Sequence, residues 1–148
     1  MSKPDSGLFD NTFAKKVEST AAVWERIHAT QDNYPGTKLP RSFVIDTLAG
    51  ELWVHGNATK HMYDEIFGTS TKSNAPMIKN SNPNLYTQFI LYDFYESLNR
   101  GTKSEIRYGR AITVGNWEFV LAKPRESGKF PVIKHAQFLG WGHEGGML

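Results

Sequence analysis

Apolar residues recur at helical spacing in three stretches of the chain. The first covers residues 11–31, where apolar side chains lie three or four positions apart at Phe13, Val17, Ala21, Trp24 and Ile27. The second runs over residues 58–67 and follows Asn57, a residue type that often caps helices. The third covers residues 84–99 and has a broader apolar face. These stretches predict three amphipathic helices, with a flexible lead-in over residues 1–10.

In other stretches apolar and polar residues alternate, which predicts β-strands. Residues 42–46 and 51–55 alternate on either side of Thr47-Leu-Ala-Gly50, a segment that suits the turn of a β-hairpin. On the second of these strands, Trp53 and His55 share one face because side chains alternate along a strand. An early hairpin is therefore expected before the second helix.

The C-terminal third contains three further predicted strands, over residues 105–114, 117–122 and 131–138. Gly115-Asn116 suits a two-residue turn between the first two. With that turn, Thr113 lies opposite Glu118, and both share one face of the sheet with Arg107. His135 in the last strand joins this polar face if the strand register brings it there.

Together these elements predict an α+β fold in which N-terminal helices pack on a twisted antiparallel sheet, with an additional β-hairpin near residues 42–55. Residues 68–83 are rich in Ser, Thr, Asn and Lys and predict a long polar loop. With 148 residues, 39% of them hydrophobic, the chain suits one domain over residues 11–148 that buries roughly two-thirds of its unfolded surface. No apolar run approaches the length that a membrane-spanning helix needs.

Composition and charge narrow the chemistry. The chain has no cysteine, which excludes thiolate nucleophiles and cysteine-ligated metals. His55 and His61 lack the His-Glu-x-x-His arrangement of zinc hydrolases, so neither a metal nor a cofactor is expected. The formal net charge of +2 and the pI near 8.8 allow an anionic partner but fall short of a dedicated nucleic-acid-binding domain. Any site for a polyanion must therefore be local.

The residues best suited to catalysis surround the predicted junction between the early hairpin and the second helix. His55 and His61 flank this junction, and histidine titrates near neutral pH, so the pair can supply a general base and a general acid. Lys60 can stabilise a phosphate there, and Asp64 or Glu65 can orient the His61 ring. A structural role for either histidine is an equally good interpretation, and His55, at the strand end, fits that role better.

A second polar set lies far along the chain. Arg107, Thr113, Glu118 and His135 are expected on one face of the C-terminal sheet. If the second helix folds onto that face, His61 and Lys60 meet this set. The predicted catalytic residues are therefore His61, Lys60, His135, Glu118, Arg107, Thr113 and His55.

Four runs of sequence resemble the C-terminal toxin domains of bacterial polymorphic toxins, including those of contact-dependent growth inhibition. The runs are Tyr34-Pro-Gly-Thr-Lys-Leu-Pro-Arg-Ser-Phe43, Trp53-Val-His-Gly-Asn-Ala-Thr-Lys-His-Met62, Val114-Gly-Asn-Trp-Glu118 and Pro131-Val-Ile-Lys-His-Ala136. Many such domains are ribonucleases, and several adopt the barnase, endoU, colicin and RelE type of fold. The resemblance implies delivery as part of a secreted or cell-surface effector, action in the cytoplasm of the target bacterium, and a cognate immunity protein, which is expected to be acidic.

Residues and resemblance together favour a metal-independent endoribonuclease toxin that acts on RNA, such as transfer RNA. Either His61 or His135 takes the 2′-hydroxyl proton, the other protonates the leaving 5′-oxygen, and Lys60 or Arg107 stabilises the phosphate. Glu118 is an alternative base. The expected products carry 2′,3′-cyclic phosphate and 5′-hydroxyl ends. Two alternatives are a nucleic-acid- or protein-binding module without catalysis and a toxin domain with a DNA target.

Overall fold

The computed structural model describes residues 4–68 and 76–142. Its helices are α1 (Pro4–Thr20), α2 (Gly56–Phe67), α3 (Ile78–Ser81) and α4 (Pro83–Gly101), and a 3₁₀ helix covers Ala21–Glu25. Its strands are β1 (Ile27–Ala29), β2 (Phe43–Thr47), β3 (Gly50–Val54), β4 (Ala111–Val114), β5 (Trp117–Ala122) and β6 (Val132–Phe138). The predicted α+β class is confirmed. No helix within the described residues is both long and apolar enough to cross a membrane.

Six strands of the described residues form one sheet in the order β1-β2-β3-β6-β5-β4. Neighbouring strands are antiparallel except β3 and β6, which run parallel with Trp53 beside Val132. The sheet is therefore mixed, and the prediction of an antiparallel sheet was wrong at this central pair. The reason is topological. After β3 the chain forms three helices and the β4–β5 hairpin, and only then does β6 enter the sheet between the two hairpins. A parallel pair of strands requires such a long crossover.

The hairpins lie where the sequence predicted them. β2 and β3 pair from Phe43 beside Val54 to Thr47 beside Gly50, which leaves a two-residue turn. β4 and β5 are joined by Gly115-Asn116, and the predicted pairing of Thr113 with Glu118 is confirmed. Gly115 has a φ of 61°, the left-handed conformation that tight hairpin turns require.

The strand that precedes the second turn is shorter than predicted. β4 begins at Ala111 rather than at residue 105. Gly109 has a φ of 77°, which is incompatible with a continuous strand. The prediction that Arg107 shares a strand face with Glu118 was therefore wrong, because the chain changes direction before β4 starts.

The first helical segment starts and ends earlier than predicted. α1 starts at Pro4, inside the expected lead-in, and becomes the 3₁₀ helix after Thr20. Gln88 of α4 accounts for this end, because its Nε2 donates to the Val17 carbonyl and to Thr20 Oγ1, both at 2.9 Å. Trp24 Nε1 donates to Gln88 Oε1 at 2.8 Å. A buried amide from another helix thus takes over the capping of α1, and β1 occupies positions that were predicted to be helical.

α2 and α4 lie where apolar spacing predicted helices, and each extends the prediction slightly. The predicted polar loop over residues 68–83 contains α3 near its end. Residues 69–75 of that loop lie outside the described residues.

The core lies on the face of the sheet that α4 covers. The Phe94 ring centroid lies 5.1 Å from that of Trp117 and 5.4 Å from that of Phe119. All three side chains are fully buried, and each such burial contributes about 1.5–3 kcal/mol. The alternate residues of β5 point to the opposite face. We call that opposite side the open face; it carries Trp53, Val132, His135 and Glu118.

A buried polar cluster fixes α2 in place. Glu65 of α2 lies 3.7 Å from Lys79 Nζ and accepts a hydrogen bond from the Tyr86 hydroxyl at 3.5 Å. Trp141 Nε1 donates to the same hydroxyl at 2.9 Å. Burial is the main reason that the pKa of Tyr86 is raised. Because these contacts fix the rotation of α2, they also determine which of its side chains reach the sheet.

Candidate active site

His55 closes the junction between β3 and α2 by capping the helix. Its Nδ1 accepts a hydrogen bond from the Asn57 backbone N–H at 3.1 Å. The predicted cap, Asn57, lies inside the first turn instead, so that prediction was wrong. Because Nδ1 is the acceptor, the neutral ring carries its proton on Nε2. Burial, assisted by the Arg125 guanidinium, lowers the pKa of His55 and favours this neutral capping form.

Further along α2, His61 lies against His135 of β6, which in turn contacts Glu118 of β5. The ring centroids of His61 and His135 lie 5.6 Å apart, with the ring planes 71° from each other. His135 Nε2 lies 3.2 Å from Glu118 Oε1. We call these residues, His61, His135 and Glu118, the His–His–Glu cluster. They come from α2, β6 and β5, so only the folded chain brings them together.

A β-bulge in β6 directs His135 toward this cluster. His135 pairs with Val120, and Ile133 pairs with the next residue of β5, Leu121, which leaves Lys134 as the extra residue. Without the bulge, Ile133 and His135 would share a face because side chains alternate. The bulge instead leaves Ile133 in the core and places His135 on the open face. The predicted position of His135 depended on the strand register, and the register with this bulge puts His135 on the polar face.

The cluster is accessible to a large substrate. The side chains of His135 and Glu118 are 32% and 39% exposed, and His61 is exposed on α2. Thr113, paired with Glu118 across the β4–β5 hairpin, is also exposed. The arrangement offers two imidazoles for proton transfer and a carboxylate that holds one of them in a fixed orientation.

Other predicted site residues lie outside the cluster. Lys60 is exposed on α2 next to His61, and Arg107 is exposed before β4. Neither forms a hydrogen bond or ion pair with the cluster in the described part of the chain. Glu65 does not orient His61, because it is buried against Lys79. The carboxylate beside His135 is Glu118, from a strand distant from α2 in the sequence.

A second feature of the open face is a groove of about 870 Å³, which we call the Trp53–Arg125 groove. Its wall includes His55 and the side chains of Val44, Trp53, Arg125, Lys129, Phe130 and Val132. The Arg125 guanidinium lies 5.0 Å from the centroid of the Trp53 ring.

The basic side chains of this groove were not among the predicted site residues. They belong to the loop between β5 and β6, which contains Lys123, Arg125 and Lys129 but a single acidic residue, Glu126. That local excess of positive charge is the signal in the sequence that could have identified them.

Among the described residues, no three His, Asp or Glu side chains are arranged so that they could hold a metal ion. In comparisons with known proteins, no protein-family model matches the chain, and no curated protein matches it significantly. The fold and the site together define an α+β protein with a mixed sheet and an exposed His–His–Glu cluster on its open face.

Proposed function

We propose that this chain is a metal-independent endoribonuclease and acts as the toxin domain of a bacterial polymorphic toxin. The observation that supports this proposal is the His–His–Glu cluster, in which the ring centroids of two imidazoles lie 5.6 Å apart and one of the two imidazoles lies 3.2 Å from a carboxylate. Cleavage of RNA through its own 2′-hydroxyl requires one base and one acid near a single phosphate. The resemblance of the sequence to toxin domains supports the biological setting.

In the proposed reaction, His135 is the base. Its Nε2–H donates to Glu118, which leaves Nδ1 with the lone pair that takes the 2′-hydroxyl proton. The 2′-oxygen then attacks phosphorus, the bond from phosphorus to the 5′-oxygen breaks, and His61 in its protonated form gives that oxygen a proton. The products carry a 2′,3′-cyclic phosphate and a 5′-hydroxyl.

The charge that builds on the phosphate needs a donor near the cluster. Two candidates adjoin residues of the cluster. Lys60 precedes His61 on α2, and the Thr113 hydroxyl lies on the residue paired with Glu118. Arg107 is assigned no role in this scheme, because it lies outside β4.

The setting that we propose is delivery of the domain by a larger secreted or cell-surface effector and action in the cytoplasm of the target bacterium. RNA, and transfer RNA in particular, is the proposed substrate. A cognate immunity protein would protect the producing cell, and an acidic one would complement a chain of pI near 8.8.

The test uses the purified chain, total bacterial RNA and a chelator, with end-group mapping of the fragments. The proposal expects cuts that persist with chelator and leave 2′,3′-cyclic phosphate and 5′-hydroxyl ends. General acid–base catalysis contributes about 10²–10⁴-fold, so His61→Ala and His135→Ala should each slow cleavage by an amount in that range. Intact RNA, or fragments with 5′-phosphate ends, would contradict the proposal.

A further inference from the structure

We infer that the Trp53–Arg125 groove binds one nucleotide of a single-stranded nucleic acid, its base against the apolar wall and its phosphate against Arg125 and Lys129. This inference rests on the proposed function for the identity of the ligand as RNA. It adds a binding site that is separate from the cleaving residues. The groove volume of about 870 Å³ lies within the usual range of small-ligand sites, about 300–1,000 Å³.

The Trp53 ring and the Arg125 guanidinium beside it match the two parts of a nucleotide, the base and the phosphate. The guanidinium lies with its carbon 5.0 Å from the indole centroid. A guanidinium packed against a ring keeps its N–H donors, which lie in its own plane, directed outward toward a phosphate. Val44, Phe130 and Val132 complete an apolar wall against which a base can pack. Aromatic and guanidinium surfaces are the usual stacking partners of unpaired bases.

Local charge also favours an anionic ligand. Glu126 also lines the groove, and its Oε1 lies 3.9 Å from Lys129 Nζ. Both side chains are largely exposed, so this pair is weak, and Arg125 and Lys129 together leave the groove lining with an excess of positive charge. Arg125 is itself exposed at its loop position. A phosphate entering the groove therefore meets a guanidinium that already lies over the indole ring.

One residue of the groove, Val132, and one residue of the His–His–Glu cluster, His135, lie on the same face of β6. Val132 lines the groove, and His135 follows three residues later in β6. At about 3.3 Å per residue, the two positions are separated by roughly 10 Å or less, since a bulge shortens the strand. When one nucleotide is held in the groove, the adjacent nucleotide of the same RNA therefore lies near His135. The groove would serve as the subsite that positions the RNA.

The test measures binding without cleavage. A fluorescent 2′-O-methyl oligoribonucleotide cannot be cut by the proposed reaction, because it has no free 2′-hydroxyl. Its anisotropy is titrated with the full chain and with Arg125→Ala, Trp53→Ala, Trp53→Phe and Lys123→Ala variants. Lys123 is the matched control, because it is an exposed cation of the same loop that does not line the groove.

Arg125→Ala is expected to weaken binding at least about fivefold and to lower the slope of log affinity against log salt by about 0.7. Trp53→Ala should weaken binding by about fivefold to hundredfold, with Trp53→Phe close to wild type. Lys123→Ala should stay within about twofold of wild type. Because Arg125 is exposed, its variant is expected to fold even if Trp53→Ala does not.

Equal losses for Arg125→Ala and Lys123→Ala would overturn the inference, since diffuse charge would then explain binding. Unchanged affinity in Arg125→Ala would overturn the inference as well. A DNA oligonucleotide of the same sequence also offers a base and a phosphate. The same order of affinity losses among the variants with that DNA would therefore support the groove as the binding site.

The inference and the proposed function fail separately. Binding at the groove without any cleavage of ordinary RNA would contradict the proposed function but support the groove as a nucleotide-binding site. Cleavage of RNA with KM unchanged in Arg125→Ala would contradict the groove and leave the proposed function intact.

Discussion

Replacing Glu118 by Gln tests whether the carboxylate positions His135 for catalysis. The substitution keeps the size of the side chain and removes its charge, so His135 Nε2 loses a charged acceptor at 3.2 Å. A hydrogen bond to a charged group contributes about 1.5–3 kcal/mol. Since the two side chains are 39% and 32% exposed, solvent screening reduces this to about 1–2 kcal/mol. At 1.4 kcal/mol per factor of ten, we expect cleavage to slow by about fivefold to thirtyfold.

The assay is steady-state cleavage of a short RNA by the purified chain, with thermal unfolding of each variant as a check on folding. The loss should appear in kcat while KM stays near wild type, because Glu118 is expected to hold the base rather than bind the substrate. Glu51→Gln is the matched control, since it removes an exposed carboxylate from β3 without touching the cluster. Wild-type kcat in Glu118→Gln, or an equal loss in Glu51→Gln, would refute the positioning role.

Three further predictions concern stability and are read from urea unfolding. His55→Asn keeps a capping side chain but cannot titrate. Because the pKa of His55 is lowered in the folded protein, the stability of wild type relative to this variant should fall as pH drops below 6.5. Burial is the main cause that raises the pKa of Asp93 above 3.8. The stability of wild type relative to Asp93→Asn should therefore fall as pH rises through the weakly acidic range, and a stability difference that does not change with pH would contradict this. Gln88→Leu removes the bonds to Val17, Thr20 and Trp24 and should cost about 1–3 kcal/mol, with RNA cleavage by the folded fraction unchanged.

Local patterns predicted the elements around the site but not their assembly. The spacing of apolar residues located α2 and α4, and Gly115-Asn116 located the turn that pairs Thr113 with Glu118. These features depend on neighbouring residues, so a single sequence contains them.

Features that depend on distant contacts were missed. The end of α1 is determined by Gln88, which lies on another helix. The parallel pairing of β3 with β6 follows from the long crossover between them. The bulge at Lys134, which places His135 beside Glu118, adds one residue to a strand whose alternation gave no sign of it.

The candidate site was therefore predicted in part. His61, His135 and Glu118 were all among the predicted catalytic residues, and the fold brings them together. Arg107 was grouped with them only because β4 was expected to begin too early. Trp53 and Arg125 were not paired in advance, because the loop that carries Arg125 reaches β3 only through the tertiary fold.

The most direct test of the central claim is to separate the acid from the base with an altered leaving group. A substrate whose 5′-oxygen at the cleavage site is replaced by sulfur needs no protonation of its leaving group. If His61 is the acid and His135 the base, His61→Ala should cleave this substrate at nearly the wild-type rate, whereas His135→Ala should stay about 10²–10⁴-fold slower on it and on ordinary RNA. Wild-type cleavage of ordinary RNA by either variant would contradict the assignment of His61 and His135 as acid and base.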